Sequence, residues 1–291
     1  MVSAAIRSLL FTPGNHPDKV AKVFIAGADL AILDLEDAVA MSEKAATRSP
    51  VVEALKGPRD CLGYVRVNAA DTEFYPNDIS TVTGPWLDGV VLPKVESADQ
   101  LLAADAALRE LEDRHGMSAG AVDIIPILET AKGLASVSDI AGCGSRVRRL
   151  SFGAVDFAKD LGMRLSLDEW ELTPPRSAIV LASRVAGLDA PLDSVWVHYK
   201  DHDGLVASSE RVRDMGFRGK MCIHPAQVPI INEVFTPSEA DVAQAEKIIA
   251  AFEEAEAQGS ASIQIDGFFI DYPVVDQARR TLELFTSIRK P

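Results

Sequence analysis

The sequence contains few cysteines, and no two of them are closely spaced. Cys61, Cys143 and Cys222 are the three present in 291 residues. An odd number of widely separated cysteines is typical of reduced thiols in a cytoplasm, not of a disulfide framework. Long apolar runs are also missing, because none approaches the roughly 20 residues that a membrane helix needs. The first residues lack the apolar core of a signal peptide. We therefore expect a cytoplasmic protein with no membrane partner.

Positive charge is scarce as well. Lys and Arg number 29 against 43 Asp and Glu, which gives a formal net charge of −14. This balance argues against nucleic acid or an anionic membrane as the main partner. The chain has no GxGxxG or HExxH motif. A dinucleotide-binding half and a zincin site are therefore not predicted.

Short apolar segments recur along the chain and alternate with helical patterns. Eight of them have the length and composition of buried parallel strands. They are residues 8–12, 30–35, 62–67, 89–92, 123–128, 149–152, 194–197 and 220–223. Helical spacing lies between them, for example at 97–111 and 130–140, with Ser97 and Thr130 as N-cap candidates. Eight strand–helix units in this length predict an α/β fold, a closed (β/α)8 TIM barrel over residues 1–235.

The last 56 residues, 236–291, do not continue this pattern. Residues 237–257 read as one acidic helix, and Pro273 begins a final helix. Between them, Asp266-Gly267 is flanked by apolar residues, which is a strong hairpin signal. We expect a C-terminal helix–hairpin–helix extension to the barrel, which is either a surface addition or a lid.

Polar residues follow nearly every predicted strand, and in a barrel these strand ends meet at one rim. Glu129 and Asp156 are carboxylates without neighbouring His or Cys, a combination that suits a hard cation such as Mg²⁺. Asp34, Glu36 and Asp37 would accept hydrogen bonds around such an ion. The alternative is that Glu129 caps the next helix and Asp156 pairs with a surface lysine.

Arg66 ends the third predicted strand as a fixed cationic donor. It is placed to stabilise a carboxylate or a developing enolate oxygen. The alternative is a purely structural ion pair with Glu36 or Asp37. His198, His202 and His224 follow the last two strands and are candidate acid–base groups.

Several motifs occur together in one order. They are residues 7–14 (RSLLFTPG), 33–39 (LDLEDAV), 66–68 (RVN), 92–94 (LPK), 129–133 (ETAKG), 152–157 (FGAVDF), 223–227 (IHPAQ) and 267–271 (GFFID). Together they resemble the citrate lyase β-subunit-like family, which includes citryl-CoA, malyl-CoA and citramalyl-CoA lyases. Residues 197–203 are more basic and aromatic than the corresponding segment of citrate lyase β-subunits.

The resemblance implies a Mg²⁺-dependent TIM barrel that cleaves a 3-hydroxyacyl-CoA thioester to acetyl-CoA and a 2-keto acid. Glu129 and Asp156 match the family's metal ligands, and Arg66 matches the arginine near the thioester oxygen. Phe11 and Lys19 fall where relatives contact CoA.

The resemblance also bears on the C-terminal extension. Asp271 matches an acid–base aspartate on a C-terminal segment that reaches into a neighbouring subunit's site, and relatives suggest a homotrimer. Two alternatives remain open. One is a malyl-CoA thioesterase of the same family, and the other is a citrate lyase β-subunit that works in a complex on an acyl-carrier thioester.

Overall fold

Eight parallel strands form a closed barrel in the computed structural model, which describes residues 5–289. The strands are β1 (Ser8–Pro13), β2 (Leu30–Asp34), β3 (Leu62–Arg66), β4 (Gly89–Leu92), β5 (Asp123–Leu128), β6 (Ser151–Phe152), β7 (Leu192–Asp193) and β8 (Gly219–Cys222). Each pairs with its neighbours in chain order, and β8 pairs with β1. The predicted (β/α)8 fold is confirmed.

The connections between the strands are helical. In chain order the helices of the described residues are α1 (Pro17–Val23), α2 (Lys44–Leu55), α3 (Tyr75–Val82), α4 (Ala98–Arg114), α5 (Ala131–Ala135), α6 (Val137–Ala141), α7 (Ala154–Leu161), α8 (Thr173–Val185), α9 (His202–Met215), α10 (Gln227–Val234), α11 (Glu239–Ala257) and α12 (Tyr272–Arg289). A 3-10 turn at Trp170–Leu172 precedes α8. None of the described helices is long and apolar enough to cross a membrane.

Two helix starts agree with their predicted caps. The Ser97 side chain accepts a hydrogen bond from the Gln100 N–H, and Thr130 accepts one from Gly133. The single helix predicted over 130–140 is wrong, because the chain forms α5 and α6 with a break at Ser136. Ser136 has φ −99° and ψ 10°, which is outside the helical region.

Alternating side chains of the strands fill the barrel. The buried cluster inside it contains Ile6, Leu9, Leu30, Ile32, Tyr64, Val91, Ile125, Ile127, Leu192 and Met221. Because side chains on a strand repeat every two residues, the next inward positions after Ile32, Tyr64 and Ile127 are polar. They are Asp34, Arg66 and Glu129. The apolar core is therefore closed at the carboxyl ends of the strands by charged groups.

The predicted position of the seventh strand, residues 194–197, is wrong. The strand is Leu192–Asp193, and residues 194–197 form the loop that follows it. Asp193 occupies the strand because its charge is neutralised there. Its carboxylate is bonded by Arg176 at 2.9 and 3.0 Å and by Lys220 of β8, and all three side chains are fully buried. A strand assignment based on apolar composition does not detect such a residue.

This buried network gives a stability prediction. Asp193→Asn leaves Lys220 buried without its counter-charge and leaves Arg176 with Glu169 alone, so we expect the free energy of unfolding to fall by about 3–5 kcal/mol. Urea denaturation followed by circular dichroism measures it. In the control Glu53→Gln, which breaks the exposed pair with Lys56, the change should stay below about 1 kcal/mol. Equal losses in both variants would contradict the prediction.

The same network predicts a pH dependence. Burial alone would raise the pKa of Asp193, but Arg176 and Lys220 hold it below its usual value. The resulting stabilisation is fully present above a pH of about 4, the ordinary range of an aspartate, and is lost as the pH falls below it. When the pH is lowered from 6 to below about 4, the free energy of unfolding should therefore fall more in wild type than in Asp193→Asn.

Residues 6–232 form one compact unit, and the described residues from 233 onward belong to a second one. In the second unit, α11 and α12 enclose a hairpin of β9 (Ile263–Ile265) and β10 (Phe268–Ile270). Asp266 and Gly267 have φ values of 52° and 85°, as a type I′ turn requires. Phe252, Ile270 and Val275 form its core. The helix–hairpin–helix prediction for these elements is confirmed.

Candidate active site

Asp34 and Arg66 form a buried ion pair at the carboxyl ends of β2 and β3. They are direct partners in the strand register. Arg66 Nε lies 2.7 Å from Asp34 Oδ1, and Nη2 lies 2.6 Å from Oδ2. The guanidinium also lies over the ring of Phe11, 4.9 Å from its centroid. This bidentate pairing fixes the plane and the position of the guanidinium.

The Asp34 carboxylate also shapes the loop after β2. It accepts hydrogen bonds from the backbone N–H groups of Glu36 (2.9 Å) and Ala38 (3.0 Å). Burial alone would raise the pKa of Asp34, but Arg66 and these N–H groups hold it below its usual value. Asp34 is therefore an ionised anchor for Arg66 and for the loop.

Glu36 lies between two cations. Its Oε1 accepts a hydrogen bond from Lys94 Nζ, and its Oε2 lies 3.1 Å from Arg66 Nη1. The Oε2 atom is buried and accepts no aligned hydrogen bond from the described residues. The pKa of Glu36 is raised because burial disfavours its charge more than Arg66 and Lys94 favour it. Asp37 is more exposed, and its Oδ1 lies 3.7 Å from Lys94 Nζ.

Glu129 follows β5 and is held on both sides. Its Oε1 accepts a hydrogen bond of 2.8 Å from the backbone N–H of Lys94, which has a left-handed φ of 52°. On the other side lies Gly153, where an added Cβ would be 2.5 Å from Glu129 Oε2. The strained backbone at Lys94 and the missing side chain at Gly153 therefore define the position of this carboxylate.

Asp156 approaches Glu129 from the first turn of α7. The pKa of Glu129 is raised to about 8, first by burial and then by the negative charges of Glu36 and Asp156. Thr130 and not Glu129 caps the next helix, so the alternative of a capping role for Glu129 is wrong. Glu129 is buried and Asp156 is half-buried, so the pair is an acidic site in which two carboxylates lie near each other.

A cavity of about 400 Å³ opens at this end of the barrel. Its lining comprises Phe11, Thr12, Pro13, Asp34, Asp37, Ala38, Arg66, Ile127, Glu129, Gly153, Val155, Asp156, Ser194, Val195, Val197, Met221 and Ile223. The size and the mixture of apolar walls with a few converging charges are typical of a small-molecule site.

The structure brings most of the predicted site residues together. Those that line the cavity are Phe11, Asp37, Arg66, Glu129 and Asp156. Glu36 is buried beside Arg66. Lys19 is exposed on α1 and is not part of the lining. Asp271 lies in the second unit, between β10 and α12, and is half-buried.

Two residues that position Glu129 were not assigned that role from the sequence. Lys94 follows β4, and Gly153 follows β6. Their strand-end positions were the available signal, but a left-handed lysine has no sequence signature. Of the candidate histidines, His224 stacks on Tyr199 with ring centroids 5.2 Å apart, and His198 contacts Trp196 edge to face. None of the three histidines belongs to the described lining of the cavity.

A closed (β/α)8 barrel with carboxylates and a fixed arginine around a cavity at its strand ends defines the class of a barrel enzyme. Residues 7–225 match the sequence model of the HpcH/HpaI aldolase/citrate lyase family. The chain belongs to this family and is an enzyme of its carbon–carbon lyase class.

The relatives named in this family are lyases. The chain is 34% identical to citrate lyase subunit beta of Leuconostoc mesenteroides, covering 96% of this chain and 92% of that one. It is also 34% identical to the L-malyl-CoA/beta-methylmalyl-CoA lyase of Cereibacter sphaeroides, covering 94% and 92%. Its fold is similar to that of CitE from Mycobacterium tuberculosis in complex with magnesium, acetoacetate and coenzyme A (TM-score 0.80, 30% identity, covering 97% and 99%).

Proposed function

We propose that the chain is a Mg²⁺-dependent lyase that cleaves a 3-hydroxyacyl-CoA to acetyl-CoA and a 2-keto acid. The observation that carries this proposal is the convergence of Glu129, Asp156 and the bidentate-held Arg66 on one cavity. The similar CitE structure, with its magnesium, acetoacetate and coenzyme A, supports the same ligands.

Glu129 and Asp156 are the residues that would hold the ion. Carboxylate oxygens are the donors that Mg²⁺ prefers, and two of them leave positions for water and substrate. No group of three or more His, Cys, Asp or Glu side chains within residues 5–289 is placed to hold a metal. When bound, Mg²⁺ supplies Lewis-acid polarisation and orients the substrate oxygens. A cation would also relieve the repulsion between the two carboxylates.

Arg66 stabilises the charge that forms during cleavage. The substrate's hydroxyl gives its proton to water at the site, and its oxygen becomes the keto oxygen of the leaving acid. The bond between the α and β carbons breaks, and the electron pair of that bond moves onto the thioester as an enolate. A guanidinium already oriented by Asp34 meets this new charge without having to reorganise. Glu36 and Asp37 accept hydrogen bonds from water at the site, and Glu36 Oε2 is a buried oxygen available for this role.

The remaining steps involve Asp271 and the CoA carrier. Asp271 donates a proton to the enolate carbon, which completes acetyl-CoA, and removes that proton in the synthetic direction. Phe11 and Lys19 contact the CoA portion of the substrate.

The C-terminal unit acts as a lid on the site of a neighbouring copy in a cytoplasmic homotrimer. Closure of this lid keeps water from the enolate.

An assay panel tests the reaction class. Purified protein is incubated with malyl-CoA, citramalyl-CoA or citryl-CoA, with Mg²⁺ or with a chelator, and the products are read by mass spectrometry. We expect acetyl-CoA and a keto acid only with Mg²⁺. Free CoA with the intact hydroxy acid would instead identify a thioesterase. The lyase proposal is wrong if none of the three thioesters is cleaved.

Gly153→Ala should weaken Mg²⁺ binding and turnover. The new methyl group would lie 2.5 Å from Glu129 Oε2 and must displace the carboxylate. The Gly153 φ of −108° suits alanine, so the backbone itself is not strained. Loss of a group that orients a metal ligand typically lowers metal affinity or activity by about 10–100-fold, and we expect a decrease in that range for Gly153→Ala.

Isothermal titration with Mg²⁺ measures the effect of Gly153→Ala. Gly142→Ala is the control, because its added Cβ would lie 3.2 Å from a carbonyl oxygen on a helix end outside the cavity. Wild-type Mg²⁺ affinity in Gly153→Ala would show that Gly153 does not position Glu129.

A further inference from the structure

The lining of the cavity has a charged side and an apolar side. On the charged side, Asp34 and Arg66 end β2 and β3, Asp37 lies in the loop after β2, and Glu129 follows β5. The opposite side is formed by residues that follow or belong to β6, β7 and β8. Its apolar members are Val155, Val195, Val197, Met221 and Ile223. In the closed order of eight strands, β2 and β3 lie opposite β6 and β7, whereas Glu129, after β5, adjoins the β6 side.

The charges on the lining leave no cation for a second substrate carboxylate. Arg66 is the single cationic side chain among the described residues that line the cavity, against four carboxylates. Its guanidinium is already paired with Asp34 and Glu36. A bound Mg²⁺ and Arg66 together supply three positive charges against those four negative ones.

The apolar side also lacks a charged partner. Apart from Asp156, the β6–β8 side offers one hydroxyl, that of Ser194, which already accepts a hydrogen bond of 2.8 Å from the Ala154 N–H. A carboxylate placed against Val195, Val197 and Ile223 would meet no counter-charge, on a lining that already carries more negative than positive groups. An uncharged group would bury apolar surface there and gain from it.

We infer that this site selects 3-hydroxyacyl-CoA substrates with a single free carboxylate, whose carbinol carbon otherwise carries hydrogen or a small alkyl group. This inference rests on the proposed lyase function and narrows it. Malyl-CoA and citramalyl-CoA meet the requirement, and their keto acid products are glyoxylate and pyruvate. Citryl-CoA does not, because it carries a second free carboxylate that leaves with oxaloacetate. Discrimination arises from the unpaired charge of the wrong substrate.

The values of kcat/KM for the three thioesters at saturating Mg²⁺ test the inference. We expect citryl-CoA to be cleaved at least about tenfold less efficiently than the better of the other two, because its second carboxylate gains no counter-charge on this lining. If citryl-CoA is cleaved equally well or better, the inference is overturned while the lyase function stands. If none is cleaved, the proposed function fails, and the inference with it.

A charge introduced on the apolar side provides a second test. Val197→Arg places a cation on the lining, at a position whose side chain is 45% exposed. The ratio of citryl-CoA to malyl-CoA cleavage should then rise at least about tenfold. Val185→Arg, at an 80% exposed position on α8, is the control and should leave the ratio unchanged. An unchanged ratio in Val197→Arg would overturn the inference.

Discussion

Replacing Glu129 with alanine should weaken Mg²⁺ binding by more than about 100-fold and abolish metal-dependent cleavage, since loss of a mere supporting group already costs 10–100-fold. Asp156 alone would leave the ion with one protein carboxylate. The cavity cannot compensate, because Asp34 is committed to Arg66 and Asp37 lies beside Lys94. Isothermal titration with Mg²⁺ and the malyl-CoA assay measure the two effects.

The control for Glu129 is Glu96→Gln. Glu96 also follows β4 near the strand ends, but it pairs with Lys132 and does not line the cavity. Glu96→Gln removes the ion pair with Lys132 and should change the Mg²⁺ affinity by less than about twofold, because exposed ion pairs contribute little. Metal binding and turnover that survive in Glu129→Ala would remove the metal site from the proposed mechanism.

Replacing Asp271 with asparagine should lower turnover by at least about 100-fold, which is the lower end of a general acid–base contribution. Asparagine keeps the size of the side chain but cannot deliver the proton. Binding of Mg²⁺ and CoA should be retained, because the ligands of both lie in the other unit. Steady-state kinetics and titration with each ligand separate these quantities.

Asp266→Asn is the matched control for Asp271. Asp266 lies in the turn of the same hairpin, exposed and paired with Lys247, and asparagine tolerates its positive φ. It should keep wild-type turnover. If Asp271→Asn also keeps wild-type turnover, Asp271 is not the acid–base group.

Mixing the two inactive variants tests whether Asp271 serves a neighbouring copy. In mixed assemblies of Glu129→Ala and Asp271→Asn, some sites would combine an intact metal site from one chain with an intact Asp271 from another. We expect activity to reappear after the subunits are exchanged under mild denaturation. Light scattering should show a mass three times that of the chain. No recovery from exchanged trimers would place both residues of a working site on one chain.

Most of the fold could be predicted from local patterns. Strands β1 to β5 and β8 are short and mainly apolar, so composition identifies them. The Asp266-Gly267 turn likewise needs only its own two positive φ values. The seventh strand could not be placed in this way. Asp193 belongs there only because Arg176 and Lys220, both distant in sequence, neutralise it.

The candidate site was predictable in its members but not in its arrangement. Arg66, Glu129 and Asp156 stand at strand ends, which a barrel brings to one rim. The structural alternative for Arg66 names Glu36 or Asp37 as its partner. Glu36 Oε2 does lie 3.1 Å from Nη1, but the bidentate bonds of Arg66 go to Asp34. That choice follows from the register between β2 and β3, which the sequence of either strand alone does not specify.

The sequence by itself determined the number of strand–helix units, the two-residue periodicity that turns Asp34, Arg66 and Glu129 inward, and the family. Each is encoded in local runs of residues or in their order. Only the tertiary structure decided which charges meet. Barrel closure brings Lys94 and Gly153 against Glu129 from opposite sides and sets an apolar wall against the carboxylates. Such contacts join residues that are far apart in the chain, so they depend on strand register and packing, not on local sequence preference.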